Sequence, residues 1–234
     1  MSRLTVLALI LVAAASACGQ RPTSSAEDRV LPAVEPPAAE PPASIRLIFL
    51  GDSLVAGFGL TEDQAFPALL EGDLVRRGWP VEVINAGVSG DTTAGGSSRL
   101  AWLLRQSPDL IVVELGVNDG LRGLPIESIA ANLRDVVRRS QDAGALVLLV
   151  GMKIPPNYGA GYAGRFEAIF PQLAAELGVP LMPFLLDGVG GRAELNLADG
   201  IHPNGAGHRI VADSLLPHLE ALLDELPARV REGV

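Results

Sequence analysis

From residue 45 onward, short apolar runs alternate with longer amphipathic stretches. The runs are IRLIFLG (45–51), VEVINAG (81–87), DLIVVELG (109–116), ALVLLVG (145–151) and VPLMPF (179–184). Several are unbroken rather than alternating, the pattern of a strand buried on both faces. Helical spacing is predicted near 62–77, 93–106, 126–142, 162–177 and 205–225. The third of these is the clearest. Ile126, Ile129, Ala130, Leu133, Val136 and Val137 recur three and four apart with charges opposite, opened by Pro125 and ended by Gly144. Strand and helix in alternation predict an α/β domain: a parallel sheet covered on both faces and joined by right-handed crossovers. No internal repeat is visible.

The remaining segments read differently. Residues 1–17 carry Arg3, then LTVLALILVAAASA, an apolar stretch too short and too abruptly ended for a membrane span. That is the pattern of an export signal, and the next residue is Cys18, the only cysteine. Its position resembles the lipid-modification site of bacterial lipoproteins, with Ala15 where leucine is usual. Two endings stay open: a lipid-anchored protein, or a soluble periplasmic or secreted one. A lone cysteine excludes an internal disulfide framework. Residues 18–44, with AVEPPAAEPPAS, are expected to be an extended tether. Residues 45–227 are expected to form one domain and 228–234 a short tail. The net charge of −9 and the single lysine, Lys153, exclude a basic nucleic-acid surface.

In such a sheet the reactive groups collect in loops beyond the carboxyl ends of the strands. There the sequence places Asp52-Ser53, Gly87 to Asp91, Gly116 to Asp119, Lys153 to Asn157 and, in a longer loop, Asp199 and His202. A lone serine after a strand is most simply a helix cap. Here LVAGFGL follows it, with two glycines and a poor start to a helix, so the turn is shaped for access. The G-x-S-x-G turn of larger lipase-like hydrolases is absent, because residue 55 is Val. His202 sits in a loop pinned by Pro203, three residues after Asp199. That carboxylate can accept from one ring nitrogen while the other faces a serine. His208 and His218 fall in the last helical pattern, where surface or capping roles are expected. Asn118 and Gly90 can supply N–H donors to a developing oxyanion, as can the Ser53 amide. Taken alone, Asn118 is equally a turn residue beside Asp119, and Gly90 a flexible link. No cluster of His, Asp and Cys offers a metal site, and no cofactor is expected.

Together, GDS at Ser53, NAGVSGDTT around Gly90, VELGVNDGLRG around Asn118, and DGIHPN with Asp199 and His202 resemble the four blocks of the SGNH (GDSL) hydrolase family. Within it the chain is similar to the multifunctional periplasmic esterase branch. The likeness runs from about Ile45 to Leu226 and includes IPPNYG (154–159). It implies a three-layer α/β/α sandwich with a five-stranded parallel sheet of flavodoxin-like topology. It also implies Ser53 as nucleophile, His202 as base, Asp199 as its partner, and Ser53, Gly90 and Asn118 as oxyanion hole. Val117 stands where close relatives tend to have a second glycine. The expected activity is hydrolysis of medium-chain acyl esters, with arylesterase, thioesterase or lysophospholipase character. Leu121, Ile154, Pro155 and Tyr158 lie on loops that should border the site; they line an acyl channel or simply cover the sheet. A carbohydrate O-deacetylase of the same family and a surface-binding lipoprotein are the rivals. A nucleotide-binding module, which uses the same kind of sheet, lacks its P-loop signature here. The expected partners are a small acyl-ester or lipid substrate and a membrane reached only through Cys18, with the chain a monomer.

Overall fold

The computed structural model describes residues 44–227. The expected export signal, Cys18, all but the last residue of the expected tether, and the expected tail lie outside them.

Five strands form one all-parallel sheet: β1 Ile45–Gly51, β2 Val81–Gly87, β3 Leu110–Glu114, β4 Leu146–Val150 and β5 Leu181–Met182. Their spatial order is β2-β1-β3-β4-β5. The chain moves from β1 to one neighbour and then crosses back to the other, so the direction of winding reverses between β1 and β3. Gly51 pairs with both Gly87 and Glu114, which brings the carboxyl ends of these three strands level.

The central strands match their unbroken apolar runs. Leu47 to Leu50 and Leu110 to Val113 are all buried, as two covered faces require. The edge strand β2 departs from that rule, with Glu82 and Asn85 exposed in an otherwise half-buried strand. The fifth run yields only two strand residues. Pro180 and Pro183 flank them, and proline cannot donate to a ladder.

The helices are α1 Ser53–Ala56, α2 Phe66–Arg76, α3 Thr93–Leu104, α4 Val117–Leu121, α5 Ile126–Asp142, α6 Ala160–Leu177 and α7 Gly205–Glu225. Helix α2 packs on α7, while α5 packs on both α3 and α6, giving two helical layers with the sheet between them. The core runs through all three layers: Leu70, Leu74, Leu215 and Leu219 from one group, and Leu100, Leu133, Phe166 and Phe170 from the other, are each at most 1% exposed.

Three differences from the sequence pattern matter. The helix expected over 62–77 breaks into a 3-10 turn, Glu62–Gln64, followed by α2. Helices α1 and α4 have no counterpart among the periodic stretches, yet both carry residues of the site. Finally, of the surface and capping roles expected for His208, it takes the capping one, for α2 and not for its own helix. It is buried beneath α2, stacks on Phe66 at 5.7 Å, and its Nδ1 accepts the Phe66 N–H at 3.1 Å. Helix α2 has no capping side chain at Ala65, so an imidazole from α7 satisfies its first amide instead.

Candidate active site

The site lies at the carboxyl ends of β1, β2 and β3, where the winding reverses. Strand β1 ends at Gly51, and Asp52 caps α1 by accepting the Leu54 N–H at 2.9 Å. Ser53 is therefore the first residue of a helix, half-buried, with an amide that has no intrahelical partner.

His202 arrives from the other end of the domain. Leu197 N–H donates to the His202 carbonyl at 2.7 Å, and Asn196 bridges Pro203, so residues 196–203 form a closed loop. Asn204 then caps α7 through Gly207 N–H at 3.1 Å. Within the loop, Asp199 Oδ1 accepts the backbone N–H groups of Ile201 (2.9 Å) and His202 (3.0 Å). Its Oδ2 lies 2.8 Å from His202 Nδ1, and His202 Nε2 lies 3.0 Å from Ser53 Oγ. The backbone N–H groups of His202 and Ile201, then the His202 ring, hold the Asp199 carboxyl down at about 2. It is thus anionic wherever the histidine works.

Asn118 belongs to α4. Its Nδ2 donates to Asp52 Oδ2 at 2.9 Å, which commits one amide hydrogen and leaves the second for another acceptor. Asp119 beside it is buried and accepts the Thr93 N–H (2.9 Å) and hydroxyl (2.7 Å), locking α4 onto the start of α3. Gly90 occupies the third place of a turn closed by Asp91 N–H to the Val88 carbonyl at 3.0 Å, with φ of 78°. That turn type needs a positive φ there, which glycine supplies freely. Arg122 grips the Gly90 carbonyl at 2.9 Å, and Arg99 braces the same loop through Asp91 (2.8 Å), Ala86 O (2.6 Å) and Gly51 O (2.9 Å).

Beneath the site two carboxyls are buried together. Glu114, at the end of β3, accepts the Asp52 N–H at 3.3 Å and is fully buried. Burial, then the charge of Asp52, pushes Glu114 well above the usual carboxylate range. Burial also raises Asp52, to about 6, against the pull of the Leu54 amide and of its side-chain partners. Glu114 is the member that keeps its proton, so Asp52 is the anion that Asn118 faces.

A cleft of about 770 Å³ opens over these groups, lined by Ser53, Gly90, Asn118 and His202. Leu121, Ile154 and Pro155 lie in its wall, together with Met152, Phe184 and Ile201. Tyr158 does not. The turn closed by its N–H to the Pro155 carbonyl folds the chain back before it, and the residue stands outside the lining, 39% exposed. Lys153 at the rim pairs with Glu167 at 2.9 Å and lies 5.2 Å over the Phe184 ring. Among the described residues, no group of three or more His, Cys, Asp and Glu could hold a metal ion, and no helix is long and apolar enough to cross a membrane.

Sequence reading placed Asp52 on a site loop without giving it a role, and missed Glu114 and Phe58, whose ring lies 4.5 Å from the His202 imidazole. One signal was present: Glu114 is the sole charge inside the apolar run LIVVEL.

Residues 49–210 match the GDSL-like Lipase/Acylhydrolase family. The chain is 43% identical over 182 residues to an arylesterase of Vibrio mimicus, across 76% of this chain and 91% of that protein. It is 39% identical over 183 residues to the thioesterase 1/protease 1/lysophospholipase L1 of Escherichia coli K12, across 78% and 86% of the two. Its fold matches the crystal structure of the psychrotrophic esterase EstA from Pseudoalteromonas, inhibited by monoethylphosphonate. That match has a TM-score of 0.74 at 33% identity, over 78% of this chain and all of that one.

Proposed function

The chain belongs to the GDSL-like lipase/acylhydrolase family and is a serine esterase, and from that premise we propose that it hydrolyses medium-chain acyl esters through an acyl-enzyme on Ser53. His202 Nε2 takes the Ser53 proton as Oγ bonds to the acyl carbon and the carbonyl electrons move onto oxygen. Asp199 holds the other ring nitrogen and the resulting positive charge. The oxyanion is met by the Ser53 and Gly90 N–H groups and by the free hydrogen of Asn118 Nδ2. The proton then passes to the leaving alcohol or thiol, and water repeats the steps to release the acid. The observation that carries this reading is the line of contacts from Asp199 through His202 to Ser53, 2.8 and 3.0 Å, at the floor of an apolar-walled cleft.

Leu121, Ile154 and Pro155 then form part of the acyl wall. Each methylene that such a wall covers contributes about 0.8 kcal/mol, or about four-fold in kcat/KM. Across p-nitrophenyl acetate, butyrate, octanoate and palmitate, kcat/KM should rise to a medium chain and then fall. Ser53→Ala should lower it by roughly 10⁴-fold or more with the circular dichroism unchanged. A steep preference for acetate, together with faster release from acetylated sugars, would favour the carbohydrate deacetylase instead. An active Ser53→Ala enzyme would remove the nucleophile assignment.

For location we propose export, with cleavage before Cys18 and a lipid anchor on that cysteine. The intact mass of the mature chain tests it. An added diacylglycerol and amide-linked acyl group supports the anchor, and an unmodified chain supports a soluble periplasmic or secreted enzyme.

A further inference from the structure

Phe58 is 47% exposed although it is a large apolar ring, and its position is set by the nucleophile's own turn. Gly57 ends α1 with φ of 70°, and the next amide, that of Phe58, donates to the Ser53 carbonyl at 3.0 Å. The ring that follows lies 4.5 Å from the His202 imidazole, centroid to centroid, at an interplanar angle of 34°. The two hydrogen bonds that hold His202, to Asp199 Oδ2 and Ser53 Oγ, are made through its ring nitrogens, whose N–H and lone pair point along the imidazole plane. They fix the direction of the ring within that plane but resist its tilting out of it only weakly. A contact against the face supplies that restraint, and Phe58 makes it. The ring also covers one face of the imidazole from water, and its π-electrons favour the ring when it carries a proton.

We propose that Phe58 is a positioning residue for the general base: packed on the face of His202, it keeps the imidazole aimed at Ser53 and stabilises it as imidazolium. The inference rests on the acyl-transfer reading above. It also gives the short segment Gly57-Phe58 a function in the reaction beyond closing α1.

The test compares Phe58→Ala, Phe58→Leu and Phe58→Tyr, using p-nitrophenyl acetate and butyrate, whose acyl chains are too short to depend on the far wall. Phe58→Ala should lower kcat about 5- to 20-fold with KM changed by less than about two-fold. Phe58→Tyr should stay within about two-fold of the parent, and Phe58→Leu, which keeps bulk but no π-face, should fall between. The rate at which diethyl p-nitrophenyl phosphate labels Ser53, forming the Oγ–P bond and releasing p-nitrophenolate, should fall in the same order. In proton NMR spectra the carbon-bound His202 ring protons should move downfield in Phe58→Ala as the ring current is lost, and remain in place in Phe58→Tyr. Phe58 also lines the cleft, so a raised KM at constant kcat would mean that it acts only by binding substrate and would overturn the proposal. So would a Phe58→Tyr variant as slow as Phe58→Ala, or an unmoved His202 signal. A parent enzyme that is labelled at Ser53 but hydrolyses none of the esters would defeat the substrate reading alone. The labelling series would still decide the role of Phe58.

Discussion

An amide side chain has two hydrogens, and Asn118 has already given one of them to Asp52. A carboxylate only accepts, so this contact fixes which end of the amide is nitrogen and where its second hydrogen points. Asn118→Ala should therefore lower kcat about 100-fold or more with little change in KM, since the lost bond forms mainly as the oxyanion develops. Asp52→Ala removes both the cap of α1 and the partner that orients Asn118. Because the two residues act as one unit, the double variant should be no more than about three-fold slower than the slower single variant. Multiplicative losses, measured as kcat on one ester, would show that the two act independently. The Asp199–His202 pair could be read from residue type and a spacing of three, and Ser53, 149 residues from that histidine, from the turn around it and the blocks it shares with the family. The roles of Asp52 and Glu114 could not. A carboxylate in a sequence reads as solvated, and only the folded chain shows that these two share a dry space under the nucleophile.

Among whole elements, legibility followed length. Helix α5 could be read residue by residue because seventeen positions give periodicity room to show. Helices α1 and α4 span four and five residues and include or abut glycines, so no period exists to read. The start of α2 was hidden for another reason: its cap lies 142 residues away, in His208. Burial, and then the positive charge of nearby His202, hold that imidazole down at about 4, so it stays neutral and accepts. A histidine depressed from 6.5 stabilises the fold above that pH, and the contribution is lost as pH falls toward 4. Urea unfolding of the parent and of His208→Gln should show the parent's advantage shrinking by on the order of 2 kcal/mol between pH 7 and pH 5. Asp52, raised to about 6, acts in the opposite sense: its contribution is present below 3.8 and lost as pH rises through 6. Both proteins contain it, so it cancels in the comparison. Parallel pH curves would mean that His208 does not titrate with unfolding.

At the scale of the molecule, the described residues hold a complete three-layer core and every group assigned to the site. A chain begun at Ser44 should therefore keep kcat/KM within about two-fold and its melting temperature within roughly 3 °C of the longer protein. A larger loss in thermal unfolding or in p-nitrophenyl butyrate hydrolysis would show that the sheet needs more of the sequence than β1. The order of the strands has a consequence in time as well as in space. Ser53 and His202 meet although 149 residues separate them, and the cap of α2 comes later still. A ribosome extending the chain by about 5 to 20 residues per second makes the serine roughly 7 to 30 s before the base that activates it. During that interval the nascent polypeptide carries an unactivated hydroxyl and no finished cleft. Connectivity thus works as a delay: a copy stopped short of His202 is chemically silent, and hydrolysis waits for the last loop of the site to be made.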